Sequence, residues 1–140
     1  MGLRTARPAV VATGLLCAAI GLSGCSGDRE SEEGRKIEAV VKRFAVSSGP
    51  DACSLMTAKA LTTVYGHGSL DPAAGRARCV AASKRFSGEA VTVTFVNIKD
   101  ATTANATARA PDGNRYFSVG LEKRRGRWLI NAVTPRPRPG

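Results

Sequence analysis

The sequence predicts an α+β domain: three helices in the first half, packed on one face of a curved antiparallel sheet of about four strands. Three observations predict it. Ile37, Val40, Val41 and Phe44 recur at i, i+3, i+4, i+7, one apolar stripe of a helix. After Gly88 the apolar period drops to two, the repeat of a strand with one buried face. Turn-forming residues at Pro111–Asn114 and around Gly126 then separate strand-length stretches.

The chain opens with Arg4 and Arg7, followed by an apolar run from Ala9 to Leu22 and then Ser23-Gly24-Cys25. A retained membrane helix needs about 20 apolar residues, and this shorter run is interrupted by Thr13, Gly14 and Gly21. Basic start, apolar run and small-residue end are the order of an export signal. Leu22-Ser23-Gly24-Cys25 resembles the lipobox of bacterial lipoproteins. That resemblance implies removal of residues 1–24, a diacylglyceryl thioether on Cys25, and a location on the extracytoplasmic side of the cell membrane. Cysteine suits the role because its thiolate is the strongest nucleophile among the side chains. Residues 25–34 follow as the lipidated Cys and a polar tether. Ser26 to Gly34 has no apolar side chain to bury, so it is expected to stay solvated.

The domain is expected over residues 35–134. Its first helix carries the Ile37–Phe44 stripe and stops at Ser47-Ser48-Gly49-Pro50. A second helical stretch runs from Asp51, a cap, to Tyr65, with Thr57 placed to cap a restart. Gly66-His67-Gly68 breaks it, and Asp71-Pro72 opens a third helix reaching about Ser83. Val91, Val93 and Phe95 alternate with polar residues, after which Val96 and Ile98 change phase, the mark of a bulge. Thr102 to Arg109 alternates Ala with Thr and Asn, a strand with one thin face. Phe117, Val119 and Leu121 form the next apolar phase, Lys123 to Arg127 a hairpin turn, and Trp128, Ile130 and Ala132 the last. The alternating prolines of residues 135–140 read as a tail outside the sheet.

Cleavage after Gly24 leaves 116 of the 140 residues, one domain's worth, with 19 basic and 11 acidic side chains and a net charge of +8. A basic exported domain meets phospholipid headgroups and anionic envelope polymers rather than chromosomal DNA. Nucleic-acid binding also wants aromatics interleaved with the basic residues, and only Trp128 lies near the basic run. Cys17 leaves with the signal and Cys25 is consumed by lipid, so Cys53 and Cys79 remain as an even pair in an oxidising compartment. A disulfide between them would pin the second helix to the third; two buried free thiols are the alternative. Their spacing fits no zinc motif, and His67 is the only histidine.

An N-terminal helical pair followed by a meander that ends in the Gly126-x-Trp128-x-Ile130 hairpin resembles the nuclear-transport-factor-two-like, or ketosteroid-isomerase-like, superfamily. The resemblance covers about residues 35–134 and implies a cone-shaped domain whose sheet curls around a pocket. The placement of Cys53 and Cys79 is similar to that in small actinobacterial lipoproteins of this fold. The superfamily includes isomerases and dehydratases as well as binding modules without turnover, so the fold alone fixes no activity.

Strand phase nominates Val91, Val93, Phe95, Phe117, Val119, Trp128 and Ile130 as pocket lining. Such a wall holds an apolar group and supplies no proton acceptor. Enzymes of the superfamily would need an Asp or His base beside a Tyr or second acid. Here His67 lies between two glycines, Asp71, Asp100 and Asp112 fall at a cap and turns, Glu89 precedes a strand, Glu122 faces outward, and Tyr65 and Tyr116 fit core or rim. No Ser-His-Asp elbow, phosphate loop or metal-ligand cluster is present in the sequence. Lys123, Arg124, Arg125 and Arg127 form the densest basic run, read either as an anionic-surface contact or as a solvated hairpin tip. The expected function is therefore a lipid-anchored binding or interaction module without cofactor or metal. Its candidate partners are an envelope protein, an anionic polymer or a small apolar ligand. A small pocket enzyme of the ketosteroid-isomerase type is the alternative.

Overall fold

The computed structural model describes residues 27–83 and 88–136. The expected signal segment, Cys25 and residues 137–140 of the expected tail lie outside the described residues. Helices come first and strands second: α1 Glu32–Val46, α2 Gly49–Ser54, α3 Ala58–Tyr65, α4 Pro72–Ser83, then β1 Thr92–Ile98, β2 Thr103–Arg109, β3 Tyr116–Arg124 and β4 Arg127–Arg136. The strands form one antiparallel meander in the order β1-β2-β3-β4. The α+β class and the four-stranded sheet match the sequence reading; among the described residues the helices number four rather than three.

The extra helix arises where the expected Asp51–Tyr65 stretch is interrupted at Leu55-Met56-Thr57. There the backbone leaves the helical path to pair with β4. Ile130 donates its amide to the Leu55 carbonyl at 2.7 Å, and Thr57 donates its amide to the Ile130 carbonyl at 2.9 Å. The Thr57 hydroxyl then accepts from the Ala60 amide at 3.0 Å and caps α3, the restart its sequence position suggests. Asp51 is not the cap expected of it: α2 begins two residues earlier at Gly49, and Asp51 sits in its first turn. At α4 the expected cap is present, with Asp71 Oδ1 accepting from the Ala73 amide at 2.9 Å.

α1 buries Ile37 and Val41 against the sheet, where they meet Ala104, Ala106 and Ala108 of β2 and the larger Val93, Val96, Val119, Leu121 and Ile130. The thin alanine face lets the helix approach the middle of the sheet. Cys53 of α2 and Cys79 of α4 are bonded to each other, with 6.1 Å between their Cα atoms and both side chains buried. Two bulges, each adding a residue to one strand, reset which side chains face this core. In β1 the register shifts between Val93 and Phe95, so Val93 and Val96 are buried while Phe95 turns outward. Between β3 and β4 the shift at Gly120/Leu121 leaves an extra residue in β4. Ala132 is exposed as a result, contrary to the alternation from Trp128 and Ile130, and Val133 pairs with Val119 instead.

Both ends of the domain extend further than the sequence suggests. Residues 27–34, expected as part of a solvated tether, belong to the fold. Gly27 bridges Val96, and the Asp28 amide donates to the Val96 carbonyl at 2.8 Å. Ser31 caps α1 by accepting from the Gly34 amide at 2.9 Å. Backbone hydrogen bonds and the polar side chains of Asp28, Arg29 and Ser31 attach this segment, so the absence of apolar side chains does not free it. At the other end, Pro135 and Arg136 pair with Phe117 and Tyr116 rather than starting a tail. β4 is an edge strand, where a proline's missing N–H need not interrupt a ladder.

Candidate functional site

A groove of about 450 Å³ lies between the C-terminal half of α1 and the sheet near the start of β3. Val41, Phe44 and Ala45 of α1 form one wall; Val91, Ala108, Ala110, Phe117, Val119 and Val133 form the other. The space exists because Ala108 and Ala110 project only methyl groups where a valine or leucine would fill it. The β4 bulge supplies Val133, 42% exposed, at the open side.

The groove's charged lining groups, among the described residues, are Glu89 and Arg115. They are joined at 2.8 Å, and Arg115 also holds Asp112 at 2.8 Å. The Arg115 guanidinium and the Asn114 amide lower the Asp112 pKa, and Asp112, with Glu89, raises that of Arg115. The rim charges are thus paired with one another above an apolar wall.

Of the seven side chains nominated as lining, the structure brings Val91, Phe117 and Val119 to this groove. Val93 and Ile130 are sealed in the core. Phe95 is excluded by the β1 bulge. Trp128 lies on another flank of α1, in a shallower depression with Lys36, Val40, Arg43, Leu55 and Arg127. The wall contributed by α1 escaped strand phasing, although Phe44 was visible in the helical stripe. Ala110 and Val133 carry no local signal, since a turn and a bulge place them.

The groups considered for catalysis have other partners or positions. His67 is exposed at φ 48 in the α3–α4 connection and lines neither depression. Tyr65 packs on the core. Tyr116 precedes Phe117 on β3 and lines neither depression. Asp100 holds the β1–β2 turn; the Thr103 hydroxyl and the Thr102 amide bring its pKa down to about 2. Glu122 pairs with Arg124. Among the described residues no group of three or more His, Cys, Asp or Glu is placed to hold a metal ion.

The basic hairpin divides in two. Arg125 at φ 50 and Gly126 at φ 76 form the two-residue turn, leaving Arg125 and Arg127 exposed. Arg124 has Glu122 as a partner, and Lys123 turns back to Glu33 of α1 at 2.7 Å. Glu33 also accepts from the Trp128 indole N–H at 2.8 Å and from Lys36 at 2.9 Å, and Lys123 lies 5.5 Å from the Trp128 ring centroid. Lys123 is therefore a structural tie from β3 to α1 rather than a free surface cation. Glu33 carried no sequence signal for this role, because its partners lie some ninety residues away.

Hydrogen bonds from Lys123, Lys36 and Trp128 lower the Glu33 pKa from 4.5 to about 2. A depressed carboxylate contributes stability that is complete above its unfolded value and lost as pH falls through its folded one. The melting midpoint is expected to fall between pH 4.5 and 2, with Asp100 contributing in the same window. Glu33→Gln should lower the midpoint at neutral pH and shrink that acid fall. Trp128, the only tryptophan, reports unfolding by fluorescence. Parallel acid profiles for the two proteins would remove Glu33 from this role.

Neither a protein-family model, nor a curated protein, nor a solved structure matches this chain.

Proposed function

We propose that this chain is a lipid-anchored binding module at the extracytoplasmic face of a bacterial membrane, and that its groove takes an apolar group. The observation that carries the binding reading is the groove wall: Val41, Phe44, Val91, Phe117, Val119 and Val133 around a space of about 450 Å³, with its rim charges paired. Apolar walls with few polar groups are the common form of a small-molecule site. The anchor reading is supported by Leu22-Ser23-Gly24-Cys25 behind its basic and apolar flanks. The fold is read as a small member of the nuclear-transport-factor-two-like layout, supported by helices preceding a bulged four-strand meander.

Two substitutions test the two parts. Mass spectrometry of the membrane-held wild-type chain should find an N-terminus at a lipid-bearing Cys25, and Cys25→Ala should lose both the lipid and the cleavage after Gly24. A wild-type chain recovered from the membrane with residues 1–24 attached and no lipid would instead indicate a signal anchor. A fluorescent fatty-acid probe should bind the wild-type domain and be weakened roughly ten-fold or more by Val119→Asp, because a carboxylate in the wall must be desolvated beside the probe's apolar chain. Arg127→Ala, outside the groove, serves as the control. If circular dichroism shows Val119→Asp to be unfolded, Val133→Asp at the exposed side gives the same reading. Probe binding that ignores the wall substitutions would reject the groove.

A further inference from the structure

We propose that the domain stands directly on the membrane surface, with the β1 edge toward the bilayer and Phe95 and Lys99 meeting the phospholipid headgroups. This rests on lipidation of Cys25. Its basis is the length of chain between that residue and the first fixed one. Cys25 precedes Gly27 by two residues, and two extended residues reach at most about 7 Å. Gly27 is held on the edge of β1 by its bridge to Val96, and the next residues lock it there. The Asp28 carboxylate accepts from the Ile98 amide at 2.8 Å, and the Arg29 guanidinium donates to the Val93 carbonyl at 2.9 Å. Behind them, a Cβ on Gly34 would fall 1.9 Å from the Asp28 carbonyl oxygen, so the turn is pressed against α1.

A lipid on Cys25 therefore fixes the β1 edge close to the acyl–headgroup boundary, in an interfacial layer roughly 5–8 Å thick on each side. The residues found there suit that layer. Phe95 is 38% exposed because the bulge turns it out of the core. A Cβ on Gly27 would come within 2.8 Å of the Phe95 ring, so the ring lies against the backbone nearest the anchor. Lys99 is exposed just past the end of β1, where a cation is attracted to anionic lipid. Gly27 itself, at φ 60 and with Val96 O 2.1 Å from the place of a Cβ, admits no larger residue without releasing the segment.

The test uses the full-length protein, processed and lipidated, in vesicles of phosphatidylglycerol and phosphatidylethanolamine carrying headgroup spin labels. With Cys25 lipidated and Cys53–Cys79 bonded, a single added cysteine takes a fluorophore: Asn97→Cys on β1, or Leu70→Cys in the α3–α4 connection. α3 packs against β4, at the opposite edge of the sheet. Quenching at position 97 should exceed that at position 70 roughly two-fold or more if β1 lies at the interface. A Gly/Ser spacer of about 12 residues inserted after Cys25, with a root-mean-square reach near 20 Å, should equalise the two. Phe95→Ser should reduce the difference without detaching the protein. Protein that floats with the vesicles but shows equal quenching overturns the proposed standing alone. Protein that does not float overturns the lipid anchor and, with it, the proposal.

Discussion

Ile130→Ala is expected to destabilise the domain by about 2–5 kcal/mol, the range for emptying a fully buried branched aliphatic site. Ile130 is 0% exposed, and its side chain enters the core shared by α1, the alanine face of β2 and the disulfide-linked helices. Its backbone is also the junction of two layers, giving its amide to Leu55 and its carbonyl to Thr57. A cavity there loosens the point where the helical segment is tied to the sheet edge. Val133→Ala, three residues along the same strand, removes a side chain that is 42% exposed. That change should stay near 0.5 kcal/mol. Chemical unfolding of both variants measures the contrast. Comparable losses would show that Val133 is buried in the core rather than standing at the open side of the groove.

Reduction of the Cys53–Cys79 bond is expected to cost roughly 3.5 kcal/mol on the chain-entropy model, given a sequence separation of 26. For a domain of this size that lowers the melting midpoint by on the order of 10 °C or more. The bond joins α2 to α4 across the α3 excursion. Its loss should therefore loosen the helical layer before the four-strand meander. Cys53→Ala should give a similar shift and leave Cys79 buried, reacting with thiol reagents only when the domain opens. Peptide mapping without reductant that recovers both thiols free, or a midpoint unmoved by reductant, would refute the assignment.

Much of this architecture was legible in the residues. The Ile37–Phe44 stripe marks α1 because burial on one face of a helix leaves a 3.6-residue period regardless of the partner. Asp71-Pro72 marks the start of α4, and Ala104, Ala106 and Ala108 mark the thin face of β2. The phase change after Phe95 marks a bulge that the structure contains. The candidate groove was legible only in part. Val91, Phe117 and Val119 were visible, whereas the α1 wall and Val133 were not assigned to it. A single inserted residue flips every later side chain, and a bulge opposite Gly120/Leu121 has no signature within β4 itself.

The sequence by itself determined the order of helices and strands, the even cysteine pair and the hairpin turns, because propensity, period and turn chemistry act over a few neighbouring residues. Tertiary structure alone decided which side chains share a site. It broke the Asp51–Tyr65 helix to pair Leu55 and Thr57 with Ile130, turned Phe95 outward, brought Val133 to the open side of the groove, and drew Lys123 and Trp128 onto Glu33. It also fastened Gly27 to β1, making an apparent tether part of the sheet edge. Each of these depends on a hydrogen bond or a packing face supplied by residues distant in the chain. Local pattern carries no record of that partner, so only the assembled fold selects among conformations that are locally equivalent.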